Sequence, residues 1–358
     1  MNLVKNSKQT VFVGLSGGVD SSVAALRLKK AGYRVVGVFI KVWHPDFLVC
    51  DWEAERLDAM RVAAHLDIPF LTCDAVDSYK KEVADYFISE YKAGRTPNPD
   101  VFCNKAVKFG AFLNFALEKG ADFIATGHYA RRSESNDLVK LFRGVDNSKD
   151  QSYFLWTLTQ EQLQKVLLPV GNSSKQNIRK EAAQAKLPTA IKKDSQGICF
   201  LGHIDIPEFL GHFIDLKPGK VIDVNGKIVG EHKGALVYTL GQRHGFTFNS
   251  SDTDRKPHYV VDRDLNKNLL IVDVEPPLVK KCTLVKIANL NWITMAPKIG
   301  DVLTAQFYYQ QTAVEVVVED CNNQDCSLRV NKSSKQPASG QSCVLYKKEE
   351  CLGGGIIT

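Results

Sequence analysis

A buried strand, a turn of small residues and a helix start follow one another in Thr10-Val11-Phe12-Val13-Gly14-Leu15-Ser16-Gly17-Gly18-Val19-Asp20-Ser21-Ser22. Thr10 to Leu15 is apolar, β-branched and aromatic, the pattern of a strand covered on both faces. From Ser21 onward the chain is built of good helix formers until Gly32 stops it. A turn of small residues at a helix N-terminus lets backbone N–H groups approach phosphate oxygens, and the helix dipole favours the anion. The turn is not a Walker A loop, because Val19 follows Gly18 where that motif needs its lysine. It is not a dinucleotide fingerprint either, since Gly-x-Gly-x-x-Gly is absent.

The chain has 358 residues, more than one domain of usual size, and 44% apolar residues, enough for a sizeable core. Its net charge of +6 suits a polyanionic partner without requiring one. Met1 to Gln9 is polar and no run of about twenty apolar residues occurs, so we expect a cytoplasmic protein with no membrane partner. Nine scattered cysteines without a Cys-x-x-Cys pair argue against a disulfide scaffold or structural zinc. Most should be small core residues.

Strand and helix alternate through the first two hundred residues. Tyr33 to Val42, Ile68 to Cys73 and Asp122 to Thr126 read as strands. Trp52 to Leu66 (capped by Asp51), a segment capped by Asp77 and running to Lys92, and Cys103 to Lys119 read as helices. This rhythm predicts an α/β fold with a Rossmann-like parallel sheet over residues 1–202, its ligand at the carboxyl ends of the strands. Arg131 to Val145 reads as a hairpin turning at Asn136-Asp137, followed by helices over Gln160 to Leu168 and Lys175 to Leu187, the second capped by Ser173 or Ser174. Residues 203–274 should form a small mixed domain. Pro276-Pro277 reads as a linker, and 278–358, with strands such as Leu303 to Tyr309, as an all-β barrel.

Two cysteines stand in polar segments punctuated by Gly or Pro. Thr96-Pro97-Asn98-Pro99-Asp100-Val101-Phe102-Cys103-Asn104 reads as a rigid turn entering a helix near Cys103, whose thiolate the dipole would favour. Asp100 reads as an N-cap, a general acid or base, or both. Cys199 lies in Asp194-Ser195-Gln196-Gly197-Ile198-Cys199-Phe200; its apolar neighbours suit a core thiol, its Gly and polar flanks a reactive one. Sulfur transfer needs a pair, one thiol to carry a persulfide and one to release product by forming a disulfide.

Ser-Gly-Gly-Val-Asp-Ser-Ser resembles the PP-loop of ATP pyrophosphatases. Together with the Asn98–Cys103 segment, Ala-Thr-Gly-His-Tyr, Lys-Asp-Gln-Ser-Tyr-Phe-Leu, Asp-Ser-Gln-Gly-Ile-Cys-Phe, Tyr-Thr-Leu-Gly-Gln-Arg and a terminal Gly-Gly-Gly, it makes the chain similar to bacterial tRNA-specific 2-thiouridylases. The resemblance implies ATP with Mg²⁺, a tRNA substrate and a persulfide sulfur-donor protein. It places Gly14, Leu15, Ser16, Gly17, Gly18, Val19, Asp20, Ser21, Ile40 and Gly127 on ATP. Cys199 becomes the persulfide carrier, Cys103 the second thiol and Asp100 a catalytic acid or base. Asn98, Pro99 and Asp100 would meet the target base. His128, Lys149, Asp150, Gln151, Tyr308, Tyr309 and Gln341 would touch tRNA. The family usually carries a basic residue where Tyr308 stands, and 249–257 fits its pattern poorly. Read from the residues alone, His128 also suits a strand-end histidine bonded to backbone, and alternation would turn one of Tyr308 and Tyr309 to the core. A PP-loop amide synthetase would need neither thiol. A cluster-dependent thiolase would need a third cysteine, and an RNA-binding module would not need an intact loop.

Overall fold

β1 (Thr10–Gly14) sits at the centre of a five-stranded parallel sheet. Its neighbours are β2 (Arg34–Lys41) on one side and β4 (Phe123–Ala125) on the other; β3 (Phe70–Asp74) lies outside β2, and Val166–Leu167 outside β4. The computed structural model describes residues 9–48, 52–194, 197, 199, 202, 204–249 and 256–358. Alternation along β1 puts Phe12 into one buried cluster and Val11 and Val13 into another, so both sheet faces are covered. Helices α1 (Val19–Lys30) and α2 (Trp52–His65) cover one face, and helices 76–92 and 99–118 cover the other. The strand order reverses at β1, which opens a crevice at the carboxyl ends of β1 and β4.

Several boundaries differ from expectation for identifiable reasons. Asp77 does not cap its helix: Asp74 Oδ1 accepts from Val76 N at 3.1 Å, and the helix already runs from Val76. The helix expected to begin near Cys103 begins at Pro99, because Asn98 Oδ1 caps Val101 N at 3.4 Å and proline is well placed at a first helical position. Asn98, not Asp100, is therefore the cap, and Cys103 lies past the first turn. The 160–168 helix stops at Gln164, and Val166–Leu167 pairs with the open edge of β4 instead. The strand expected to reach Tyr309 ends at Gln306, where the Gln311 side chain accepts from Phe307 N at 3.0 Å. The Asp51 cap and most of 249–257 lie outside the described residues.

The hairpin of β5 (Ala130–Ser135) and β6 (Leu138–Arg143) turns at Asn136 and Asp137, both at positive φ. Its outer partner is distant: β6 pairs with Glu350–Ile357, the last strand of the chain. That strand also pairs with Leu284–Trp292 and so closes a barrel with Asp325–Val330, Val314–Cys321, Val302–Gln306 and Ser342–Lys347. Residues 219–273 form a separate five-stranded sheet, packed through Phe209, Leu210 and Tyr238 on Phe87, Ile88 and Tyr91. One buried cluster joins Phe12 and Phe112 to Ile293, Val344, Tyr346 and Ile356, so the first and last parts of the chain share a core.

Arg143 fastens that seam. Its guanidinium bonds the buried Asp150 at 2.9 Å and Gln306 Oε1 at 3.0 Å, and lies 3.5 Å from the Tyr346 ring. Arg143→Ala strands a buried carboxylate and should cost about 3 kcal/mol, read as a lower urea midpoint; an unchanged midpoint would contradict this role.

Candidate active site

The phosphate loop emerges from β1 and runs into α1 without a side-chain cap: Gly18 stands at the N-cap, and no side chain accepts from the first-turn N–H groups there. Those donors are free for an anion. Ser16 and Ser21 hydroxyls face each other at 3.3 Å, and Ser22 Oγ donates to Gly18 O at 2.7 Å. Gly17 has φ +70°, which disfavours a side chain. Gly127, beyond β4, approaches so closely that a Cβ would sit 2.7 Å from Ser21 N. Ile40, next to the last residue of β2, lies beside Gly14, its Cδ1 3.7 Å from where a Cβ would stand there. The nucleotide residues named from the sequence thus converge on one cradle of suitable shape for phosphate.

Asp20 faces the crevice and accepts from Tyr129 OH at 2.6 Å and Lys175 Nζ at 2.7 Å. Lys175 also reaches Asp194 at 2.8 Å, where Lys149 arrives at 2.9 Å and Arg179 at 2.5 Å. Burial would raise the Asp194 carboxyl, but Lys175 and Lys149 hold it down to about 2. Lys175 opens the helix Lys175–Gln184, whose first turn Ser174 caps. Nothing in its local pattern pointed to the loop 155 residues earlier.

Beyond the cradle lie two thiols. Cys103 Sγ donates to Cys199 Sγ at 3.4 Å. Asp100 Oδ1 accepts from Cys199 N at 2.8 Å, and Tyr79 OH donates to Cys199 O at 3.0 Å. Cys103 is buried and its thiol is pushed far up by burial and by Cys199. Cys199 moves down, because Cys103 donates to it and Lys108 lies against it. The dipole was expected to favour a Cys103 thiolate; with Cys103 past the first turn and donating, it is Cys199 whose thiol is drawn down and Cys103 whose thiol is pushed up. Burial raises the Asp100 carboxyl, while the Cys199 N–H and Lys108 pull it back. The buried His128 is held neutral by burial and by Lys108, with Nδ1 2.7 Å from Thr126 Oγ1.

The other residues named from the sequence are held in hydrogen bonds and packing of their own. Asp150 accepts from Arg143, Gly144 N and Ser152, and Gln151 Oε1 accepts from Tyr129 N at 3.0 Å. Gln341 is buried and donates to Thr96 O at 2.9 Å, bracing the segment that leads into Asn98 and Pro99. Tyr308 and Tyr309 follow the strand rather than lie in it. Tyr308 OH donates to Gln336 O at 2.7 Å, and the Tyr309 ring packs 4.3 Å from Phe154. Sequence reasoning missed Tyr79, Lys108, Tyr129, Lys175 and Arg179. Only their long-range partners mark them.

Three family models match in succession: a tRNA methyl transferase HUP domain over residues 9–203, a tRNA methyl transferase PRC-barrel domain over 207–273, and an aminomethyltransferase β-barrel domain over 282–357. Among curated proteins, the tRNA-specific 2-thiouridylase MnmA of Lacticaseibacillus paracasei is 43% identical, covering 99% of this chain and 96% of its own length. The protein of that name from Serratia proteamaculans is 44% identical over 98% of each, and that from Bacillus subtilis 42% over 97% and 94%. The chain belongs to the tRNA-specific 2-thiouridylase family. Its Rossmann-like sheet, PRC-barrel domain and terminal barrel are those the family models describe. A solved 4-thiouridine synthetase–RNA complex with bound ATP is 21% identical, with a TM-score of 0.34, covering 58% of this chain and 50% of its own. No helix among the described residues is long and apolar enough to cross a membrane.

Asp194 gives the cationic cluster a pH signature. Its folded-state pKa lies below the ordinary value of 3.8, so its stabilisation is complete above about pH 4 and fades as pH falls toward about 2. Asp194→Asn should therefore lower the urea midpoint at pH 6 and narrow its difference from wild type at pH 3. A gap of equal size at both pH values would refute the assignment.

Proposed function

We propose that this protein is an ATP-dependent tRNA sulfurtransferase that adenylates the C2 oxygen of the wobble uridine and replaces it with sulfur carried by Cys199. The observation that carries this reading is the thiol pair, 3.4 Å apart and bracketed by Asp100, in a chain whose uncapped helix start suits phosphate. Methyl transfer, suggested by the wording of the family models, has no need of two such thiols. ATP bound at the cradle would supply activation, turning a poorly leaving carbonyl oxygen into one that departs as AMP. The first-turn N–H groups of α1, Ser16 and Lys175 are placed to hold its phosphates. Among the described residues no cluster of three or more metal-type ligands occurs, so Mg²⁺ would enter bound to the phosphates rather than in a protein cage.

The Cys199 thiolate takes a sulfur atom from a persulfide donor protein by attacking its outer sulfur, and the donor leaves as a thiol. The loaded sulfur then attacks C2 of the activated base. Cys103 attacks Cys199 Sγ, which breaks the bond to the transferred sulfur and leaves a Cys103–Cys199 disulfide for a reductant to reopen. Their sulfurs need only close from 3.4 Å to about 2.05 Å. Asp100, with its raised carboxyl, is suited to move the proton at the base. Asn98 and Pro99 form the floor for that base, and His128, Lys149, Asp150, Gln151, Tyr308, Tyr309 and Gln341 shape the walls that meet the tRNA. The reaction belongs to the cytoplasm, where tRNA and thiol reductants coexist.

Nucleoside mass spectrometry of tRNA incubated with protein, ATP and a persulfide source tests this. Cys199→Ser should load no persulfide and yield no 2-thiouridine, while still releasing pyrophosphate. Cys103→Ser should load Cys199 but fail to turn over. Full multiple-turnover thiolation by either variant would overturn the reading. Separately, Asp20→Ala should reduce tRNA-dependent pyrophosphate release at least a hundredfold, on the order expected for a lost phosphate-loop contact; release at the wild-type rate would remove this loop from the reaction.

A further inference from the structure

The helix that carries Cys103 changes pitch. Pro99–Phe102 is α-helical, Cys103–Ala111 is π-helical, and Phe112–Glu118 is α-helical again. In an α-helix, residues five apart point about 140° away from each other. In a π-turn the repeat is i to i+5, so residues five apart come nearly into line. The residue five after Cys103 is Lys108. The wider turn is accommodated at Gly110, where a Cβ would stand 3.0 Å from Lys105 O, the carbonyl five residues earlier.

We propose that Lys108 is a catalytic residue of the thiol pair: delivered by this π-turn, its ammonium is the counter-ion of the Cys199 sulfur, first as thiolate and then as persulfide anion. The proposal rests on Cys199 being the sulfur carrier and adds what makes it one. Lys108 hydrogen-bonds Cys199. Cys103 points its S–H at the same sulfur, at 3.4 Å, so that Cys199 Sγ receives donors from both. Among the described residues, Asp100 and Cys103 reach Cys199 from the same helix and Tyr79 bonds its carbonyl from the helix packed across; His128, from the loop after β4, lies near Lys108. Tyr79 and His128 are both held neutral by burial. Lys108 is thus the cation of the set, with Asp100 the carboxyl. Burial opposes its charge, but Cys199 and Cys103 outweigh that and keep it protonated.

The chemistry follows. A cation beside Cys199 raises the thiolate fraction available to attack a donor persulfide. It also pairs with the terminal sulfur once loaded, holding it as a nucleophile. When Cys103 attacks Cys199, the proton Cys103 gives up passes to the departing side, and Lys108 keeps its own throughout. No electrons pass through the lysine.

The test is alkylation of Cys199 in the full chain by iodoacetamide, followed from pH 6 to 9.5 by peptide mass mapping. Wild type, Lys108→Met and Lys108→Arg are compared, with exposed Cys282 and buried Cys343 as internal controls. We expect Lys108→Met to move the Cys199 midpoint up by a unit or more, making labelling at pH 7 at least tenfold slower, and Lys108→Arg to restore most of it. A merely structural lysine gives the opposite sign, since loosening the site exposes Cys199 and speeds its labelling along with that of Cys343. Faster labelling, or an unshifted midpoint, overturns the proposal. The readout needs neither tRNA nor ATP: a midpoint shifted by Lys108→Met, alongside a wild-type chain that never makes 2-thiouridine, would sink the proposed function and leave the Lys108–Cys199 pairing standing.

Discussion

Two sulfur atoms from positions 96 residues apart meet at 3.4 Å, and the fold around them is arranged to keep them there. Cys199 is tied by its backbone, not only by its side chain. Asp100 takes its N–H and Tyr79 bonds its carbonyl, so the residue is clamped on both sides against one helix pair. Such clamps stand in for the rigidity that a loop lacks, because ordering a free segment costs about 1–2 kcal/mol of backbone entropy per residue. The electrostatics depend on the same contact. Cys103, buried and donating, has its thiol pushed up while its neighbour's is drawn down, so two identical side chains are driven in opposite directions by position alone.

A line of charge runs from the cradle to the segment that carries Cys199. Asp20 in the phosphate loop, Lys175, and Asp194 five residues before Cys199 form a continuous chain of ion pairs, with Lys149 and Arg179 converging on its far end. Lys175 stands where the absent Walker lysine left a gap in charge, though it arrives from a distant helix. A nucleotide phosphate entering the cradle would compete with Asp20 and Asp194 for the same ammonium.

Much of this was legible in the sequence wherever local rules decide the outcome. Thr10 to Ser22 carried the strand, the turn and the helix start; Asn136-Asp137 marked a hairpin; and residues 278–358 read as a barrel. Asp100, Cys103 and Cys199 were named before their meeting was visible. What failed was local capping and pitch. Two prolines were taken to delay a helix that Asn98 and Pro99 in fact begin. No propensity signals a π-turn, so nothing singled out Lys108. Lys149 and Asp150 were named only as tRNA contacts, and the ion pairs they make were not foreseen: Arg143, seven residues back across the end of the hairpin, pairs with Asp150, and Asp194, 45 residues on, pairs with Lys149. Burial by remote strands is the term that a linear reading cannot supply.

The shared core has a consequence for how the chain is made. Residues 9–194 do not finish their own interior: Val344, Tyr346 and Ile356 fill part of it, β6 waits for Glu350–Ile357, and Gln341 braces the turn before Asn98. A nascent chain emerging from the ribosome therefore holds its phosphate loop and Cys103 in an incomplete lobe until residues 341–357 are released. Contacts of such wide sequence separation form late and slowly. Completion of that lobe waits for these strands, and a chain without Glu350–Ile357 would lack the strand that seals both its barrel and its active lobe.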